Sequence, residues 1–436
     1  MRTLIQAFRT KELRNKILFV LGIIIIYRIG SFIPTPGVDY KVVNDCVANT
    51  TNNAENFIGL VNLFSGGAML QLSIFALGVM PYITASIVVQ LLRAVIPRFE
   101  ALHKEGQSGE AKLTQYTRYL TIGLAVLQST TILVTARSGA LFNYQCNNVI
   151  PDASIWNMVV MIMVMTGGTG LIMWMAELIT EKGIGQGMSI LIFLSICSGF
   201  LPQLWQIGWG TNGTDGNWTK FAIVTVVLLV IMIFVNYVEL SQRRIPVQYT
   251  RRMIGRKMYG GQSTHLPMKV NMSGVLPIIF AQSIASLPAT ICAFVPKWQN
   301  GWVMKHIFDT TTWPYIVIYF LLIIFFSYFY STIQFNPIEV ANNLKKNGGF
   351  IPGFRAGKPT SEFIQKVLNK ITLFGAIYLS VIAITPLIIS ACSKAEQLTG
   401  ISLGGTSIII VVGVALETVR ALEAQMLMRN YKGFLN

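Results

Sequence analysis

The feature that most restricts this chain is a succession of ten apolar runs, at about 17–33, 73–92, 119–136, 155–176, 187–202, 219–238, 272–295, 313–334, 371–391 and 404–425. About 20 apolar residues in a helix cross the roughly 30 Å hydrocarbon core of a bilayer. In that solvent every backbone N–H and C=O needs an internal partner, so runs of this length are expected to be helices. Composition agrees. Of the 436 residues, 53 % are apolar and 12 % charged, against about 25 % charged in an average soluble domain.

The loops between the runs separate by charge. One set carries Arg2, Arg9, Lys11, Arg14 and Lys16; Arg93, Arg98, Lys104, Lys112 and Arg118; Lys182; the basic stretch 239–270; Lys345, Lys346, Arg355, Lys358, Lys366 and Lys370; and Arg420, Arg429 and Lys432. The opposite set carries only Lys41, Arg137, Lys220, Lys297, Lys305 and Lys394. Lys and Arg stay on the cytoplasmic side, so this asymmetry predicts an even number of spans with both termini in the cytoplasm. The net charge of +16 is thereby explained by topology. Ile17 to Ile33 lacks a small-residue cleavage site and reads as a retained span.

Spans one to five and six to ten form two groups of five. If the groups are related, the odd number per group makes the second an inverted copy of the first. The expected organisation is an N-terminal half over 1–202, span six with its basic loop over 203–270, and spans seven to ten over 271–436 with a cytoplasmic loop at 336–370. The stretch at 62–72, ahead of span two, begins on the outer side with Gly66-Gly67 and carries no charge. Too short to cross a bilayer, it is expected to dip into protein as a re-entrant helix, the alternative being an interfacial helix lying on the outer surface.

Catalytic patterns are absent from the sequence: no Gly-x-Ser-x-Gly, no His-Glu-x-x-His, no phosphate-binding Gly-Lys-Ser/Thr. Neither a metal site nor a cofactor is expected. Gly183-Ile-Gly-Gln-Gly187 reads as a flexible turn rather than a phosphate loop. Of the five cysteines, none has metal-type spacing. Cys46 and Cys146 fall in loops assigned to the oxidising side, where a disulfide between them is compatible with the topology. Ion-coupled transport would leave acids or histidines in mid-span, and these are scarce. Arg28 lies toward the outer end of span one and can snorkel. Glu177, Glu417, Arg420 and Glu423 read as interfacial anchors and ion pairs. Aliphatic side chains instead recur beside helix breakers: Val79 and Ile83 around Pro81, Met188 and Ile192 after the glycine turn, Ile279 after Pro277, Ile410 after Gly404-Gly405. Thr84, Ser86, Gln90, Gln128 and Asn271 are uncharged polar residues in or at the spans, where such groups usually bond between helices.

These residues carry a resemblance. Tyr27-Arg-Ile-Gly-Ser-Phe-Ile-Pro34, Phe64-Ser-Gly-Gly67, Ile74-Phe-Ala-Leu-Gly-Val-Met-Pro-Tyr-Ile-Thr-Ala-Ser-Ile87, Gln115-Tyr-Thr-Arg118, Gln262-Ser-Thr-His-Leu-Pro-Met-Lys-Val-Asn271, Phe335-Asn-Pro337, Asn343-Leu-Lys-Lys346, Phe350-Ile-Pro-Gly-Phe-Arg355 and Gly404-Gly-Thr-Ser407 are similar to the SecY family of protein-conducting channels. The resemblance implies an all-α membrane protein, ten transmembrane helices in two inverted halves closing like a clamshell around an hourglass pore. It assigns Val79, Ile83, Met188, Ile192, Ile279 and Ile410 to a pore ring, and Phe64, Ser65, Gly66, Gly67, Ala68, Met69 and Leu70 to a plug that closes the outer funnel. Spans two and three would face spans seven and eight as a lateral gate with Thr84, Gln128 and Asn271 as its polar cluster. Arg243, Arg244, Arg251, Arg252, Arg256, Lys257, Lys345, Lys346 and Arg355 would form the docking surface for the SecA motor and the ribosome.

The partners it implies are SecE and SecG in a heterotrimer, SecA, the ribosome through its RNA, signal peptides and nascent chains, SecDF and YidC, and anionic lipids. The location implied is the bacterial cytoplasmic membrane, and the chain would be no enzyme. The competing reading is a secondary transporter built on inverted repeats with broken helices; the scarcity of mid-span ionisable groups weighs against it.

Overall fold

The computed structural model describes residues 10–43, 46, 65–137, 149–151, 154–209, 218–249, 252–254, 257–259, 263–294, 312–392 and 404–432. Ten long helices occupy the ten expected spans: α1 (Lys11–Phe32), α2 (Met80–Val95), α4 (Gln107–Arg137), α5 (Ile155–Lys182), α6 (Gly187–Trp209), α7 (Trp218–Leu240), α8 (Leu276–Phe294), α9 (Trp313–Gln334), α11 (Lys358–Cys392) and α12 (Gly404–Lys432). Two short helices, α3 (Pro97–Lys104) and α10 (Pro337–Lys346), lie outside them. Among the described residues, five helices are by themselves long and apolar enough to cross a membrane, or six if the bent pair α2–α3 is one span. The apolar faces turned outward include Leu18, Leu21, Ile25, Ile26 and Ile29 on α1 and Val226, Leu229, Val230 and Ile233 on α7. In water such surfaces would be costly; in lipid they are solvated.

Helix contacts divide the chain into two sets joined along two seams. In the first set α2 packs on α4, α4 on α5, and α5 on α6 and α1. In the second α8 packs on α9, α9 on α11, α11 on α12, and α12 on α7. One seam places α6 against α7 and α12. The other places α2 and α4 against α8.

Two expectations are corrected. Span two was expected from 73 and the stretch before it as a helix, but α2 begins at Met80 and residues 65–79 run as successive turns. The amides of Ala68, Leu72, Ala76 and Gly78 donate to the carbonyls of Ser65, Met69, Ser73 and Phe75, each three residues back. The run cannot settle into an α-helix because Gly66, Gly67, Gly78 and also Leu72 take positive φ, which reverses the helical hand. Nor is the basic stretch after span six simply a loop. β1 (Gln242–Tyr249) pairs antiparallel with β4 (Ser263–Lys269), and β5 (Gly349–Phe350) joins the other edge of β1. β2 (Arg252–Ile254) and β3 (Lys257–Tyr259) form a second small pair at the tip. Alternation explains β1: Ile245 and Val247 are buried while Arg243, Arg244, Pro246 and Gln248 are exposed.

Candidate functional site: an apolar constriction, its cover and a basic platform

The six aliphatic residues expected to form a ring come from both sets of helices and all belong to or pack on the main apolar core, which also takes in residues of α1, α5, α7, α9 and α11. Val79 stands at the N-cap of α2 and Ile83 one turn on; Met188 and Ile192 are on α6, Ile279 on α8 and Ile410 on α12. Val79, Ile83, Ile192, Ile279 and Ile410 are buried in this cluster, and half-buried Met188 packs against it. Pro81 sits in the first turn of α2, where its missing N–H costs no helical bond.

The turn segment lies directly beside this cluster. Phe75 and Val79 belong to it, whereas Met69, Leu72, Ala76 and Leu77 enter a second cluster with Leu133 of α4 and Met161 and Met165 of α5. The segment therefore packs against α1, α4 and α5. Thr35 donates from its amide (3.0 Å) and its Oγ1 (2.7 Å) to the Leu72 carbonyl, and the Ile74 amide donates to Ile33 (2.9 Å). Tyr27 stacks on Phe75, with ring centroids 5.8 Å apart, and shares a 2.8 Å hydrogen bond with Ser195. A Cβ on Gly30 would overlap the Phe75 ring. Arg28, expected to snorkel, is instead turned inward. Its Nη1 donates to the Gly66 carbonyl (2.9 Å) and to Ser198 Oγ (3.2 Å), and its guanidinium sits 4.6 Å from the Phe32 ring centre. Of the residues assigned to the plug, Ser65, Gly66, Ala68 and Met69 are buried, Gly67 and Leu70 half-buried, and Phe64 lies outside the described residues.

Among the described residues, no hydrogen bond joins Thr84, Gln128 and Asn271 to one another. Thr84 Oγ1 donates to the Met80 carbonyl of its own helix (3.0 Å), and half-buried Gln128 on α4 bonds to neither of the other two. Asn271 is buried and committed elsewhere. Its Nδ2 donates to Glu239 Oε1 (2.6 Å) and to the Gly274 carbonyl (3.0 Å), and its Oδ1 accepts from Ser273 (3.3 Å). Asn271 follows β4, and Glu239 lies at the end of α7, just before β1. Their bond closes the base of the hairpin, a pairing that sequence spacing gives no reason to expect. An ion pair was expected of Glu177, and Arg118 meets it with two parallel 2.8 Å bonds.

On the hairpin side, the two basic loops form one body. Ile245, Val247 and Met268 of the hairpin bury against Ile351 and against Ile364 and Leu368 of α11. Asn336 caps α10 by accepting from the amides of Ile338 and Glu339, with Pro337 in the first turn and Lys345 and Lys346 in the last. Cations there oppose the negative helix end. Arg243, Arg244, Lys345, Lys346 and Arg355 are all exposed, and Arg355 is anchored where its carbonyl accepts from Thr360 Oγ1 (2.7 Å). Beside it Phe354 stacks on Phe363, centroids 4.3 Å apart. Arg251 and Arg256 lie outside the described residues, and only the backbones of Arg252 and Lys257 are described. The glycine stretch 183–187 is a turn ahead of α6, as expected, and no group of metal-ligating residues occurs among the described residues. Cys46 is disulfide-bonded; Cys146 lies outside the described residues.

Known proteins resemble this chain in sequence and in fold. The SecY family model covers residues 73–419. The protein translocase subunit SecY of Streptomyces scabiei is 55 % identical over 435 residues, covering 99 % of this chain and 98 % of that one. That of Mycobacterium tuberculosis is 49 % identical over 440 residues, covering 99 % of each. Among solved structures, a protein-conducting channel aligns with a TM-score of 0.63 at 15 % identity, over 94 % of this chain and 91 % of that one. Sec61 in a canine ribosome–channel complex aligns with a TM-score of 0.60 at 13 % identity, over the same shares. Sequence and fold agree that this chain is a member of the SecY family, a multi-pass membrane protein.

Proposed function

We propose that the chain is the pore subunit of a protein translocase, conducting unfolded polypeptides across the membrane and releasing apolar segments sideways between α2/α4 and α8. What supports this reading is membership of the SecY family, with Val79, Ile83, Met188, Ile192, Ile279 and Ile410 contributed by both sets of helices to the apolar core beside the turn segment 65–79. A channel for arbitrary sequences cannot use a specific binding site. An aliphatic constriction excludes water and ions without one, and it closes around a passing chain by repacking; Met188 is its most pliable member. Sideways release suits partition into lipid, at about 0.3–0.6 kcal/mol per Leu or Ile. A related SecY structure is described as having a plug domain that stabilises the closed state and maintains the membrane seal. On this reading residues 65–70, with Phe64, have that role here.

The exposed cations Arg243, Arg244, Lys345, Lys346 and Arg355, with Arg251, Arg252, Arg256 and Lys257, form a cytoplasmic platform. Phosphate neutralisation gives such a surface affinity for ribosomal RNA without sequence readout, and it equally suits the acidic faces of a motor such as SecA. SecE and SecG, SecDF, YidC and anionic lipids complete the setting in a bacterial cytoplasmic membrane with both termini inside. Residues 1–202 and 203–436 would be the two leaves, the second holding the hairpin and the 336–370 loop. Energy would come from the partners, and the chain would itself do no catalysis. In the deciding experiment the chain is reconstituted in vesicles with its small membrane subunits, SecA and ATP, and uptake of a signal-bearing precursor is followed by protease protection. Uptake that depends on the signal sequence is expected; solute flux without protein uptake would favour a transporter instead.

A further inference from the structure

We infer that Arg28 is the latch of the covering segment: a positioning residue whose guanidinium, by holding the Gly66 carbonyl and Ser198 together, keeps the channel sealed at rest. The inference rests on the proposed plug role of residues 65–70. Three observations carry it. First, Arg28 Nη1 is within hydrogen-bond reach of both the Gly66 carbonyl (2.9 Å) and Ser198 Oγ (3.2 Å), so one charged group joins α1, the turn segment and α6. Second, Ser198 Oγ reaches the same Gly66 carbonyl (3.4 Å) and the Ser195 carbonyl (2.9 Å), closing a three-cornered network around it.

Third, the Gly66 site is built for close approach. Its φ is +68°, and an added Cβ would lie 2.7 Å from Ser198 Oγ and 3.3 Å from the Ser195 Cα. Only glycine lets the segment approach α6 closely enough for its carbonyl to meet the cation.

The contacts described for the rest of the segment are neutral hydrogen bonds and apolar packing, which reform readily on a new surface. Arg28 differs because a cation half-buried beside hydrocarbon needs a partner. A charge-assisted bond is about twice as strong as a neutral one. When the segment leaves, Arg28 loses the Gly66 carbonyl, and the carbonyl loses its donor. That mutual loss favours return of the segment once a translocating chain has cleared. The latch thus biases the resting state without adding bulk to the pore.

The test measures chloride flux through the purified translocase complex in vesicles. Arg28→Gln should raise resting flux roughly ten- to a hundredfold, the population shift expected from losing one charge-assisted hydrogen bond. Arg28→Lys, which retains the cation, should fall between Gln and the parent. Gly66→Ala, with Arg28 intact, should also leak, which keeps the inference testable if Arg28→Gln assembles poorly. Deleting residues 65–71 serves as the reference, and adding Arg28→Gln to that deletion should raise the flux no further. Parental flux in both Arg28→Gln and Gly66→Ala, with a leaking deletion, overturns the latch alone. Additive flux in the double variant overturns it too, since Arg28 would then act on general stability. A deletion that does not leak overturns the plug reading on which the latch rests.

Discussion

Gly167, Gly168 and Gly170 stand together in α5 and are equivalent as letters. In the fold, a Cβ on Gly168 would collide with the Ile74 carbonyl, whereas Gly167 and Gly170 have open space. Backbone cannot move aside as a side-chain tip can, so Gly168→Ala should cost about 1–3 kcal/mol. Gly167→Ala should instead be neutral or gain up to about 1 kcal/mol of helix propensity. Thermal unfolding of the purified complex in detergent should separate the two; equal midpoints would show that the turn segment does not press on α5. The same limit explains Leu72. The break at Gly66-Gly67 is visible in the sequence, but nothing about a leucine announces a φ of +47°. That conformation is held by the two Thr35 bonds to its carbonyl and by complete burial of its side chain, contacts that only the tertiary fold supplies. Arg118 and Glu177 give a third contrast. The sequence placed both near the cytoplasmic boundary, but the fork between them needs α4 and α5 in register. Because Arg118 is largely exposed, Arg118→Lys should cost under about 1 kcal/mol, measured by the same unfolding assay.

Among elements, the spans were legible and the segments between them were not. Membrane-length apolar runs are set by the solvent and need no tertiary information, so all ten long helices fall where the runs are. In the sequence the hairpin after α7 shows only as a basic run, because its positive charges mask the short alternation Ile245, Val247. Its partners in burial, Ile351, Ile364 and Leu368, lie about a hundred residues away. Ile364 is fully buried at that junction. Ile364→Ala should loosen the platform by about 2–5 kcal/mol and speed hydrogen exchange at the β1 and β4 amides, while α11 beyond residue 371 stays protected. Unchanged β1 exchange would mean the hairpin is held from another side. Arg355→Glu tests the platform's proposed role without touching that core, since the side chain is exposed. Motor-driven precursor uptake should fall at least tenfold, the scale of one reversed charge at a phosphate- or carboxylate-binding surface, with assembly intact. Normal uptake would remove Arg355 from the docking surface. The bonding partner of Asn271 is out of reach of the sequence for a related reason. Asn271 was matched to Thr84 and Gln128 by family likeness, whereas here Glu239 claims it at 2.6 Å.

The whole molecule has two seams with different consequences for function. At one, α6 meets α7 and α12; at the other, α2 and α4 meet α8. α6 and α7 are consecutive in the chain, joined through residues 210–217, so the first seam is covalently bridged and would suit a hinge. The second joins helices far apart in sequence, with the Asn271–Glu239 bond at the foot of α8 tying that helix to the root of the basic hairpin. On the proposed function, a force on the platform would reach the seam that opens through this bond. A cysteine pair bridging α4 to α8, oxidised in the vesicle system, should stop sideways release of an apolar segment, because release needs these helices to part. A pair bridging α6 to α12 should leave release close to the parental level, since a hinge can turn with its helices joined. Reduction should restore the first variant and leave the second unchanged. Equal inhibition by both bridges would mean that the two sets of helices move as one body. Breaking the tie should have the opposite sign. Glu239→Gln leaves a weaker neutral bond to Asn271 and should let the seam part without a docked partner, raising release of weakly apolar segments by about tenfold, as expected when a charged hydrogen bond becomes neutral. If release instead still required the partner to the parental extent, the bond would be a structural closure of the hairpin and would have no part in transmitting docking to the gate.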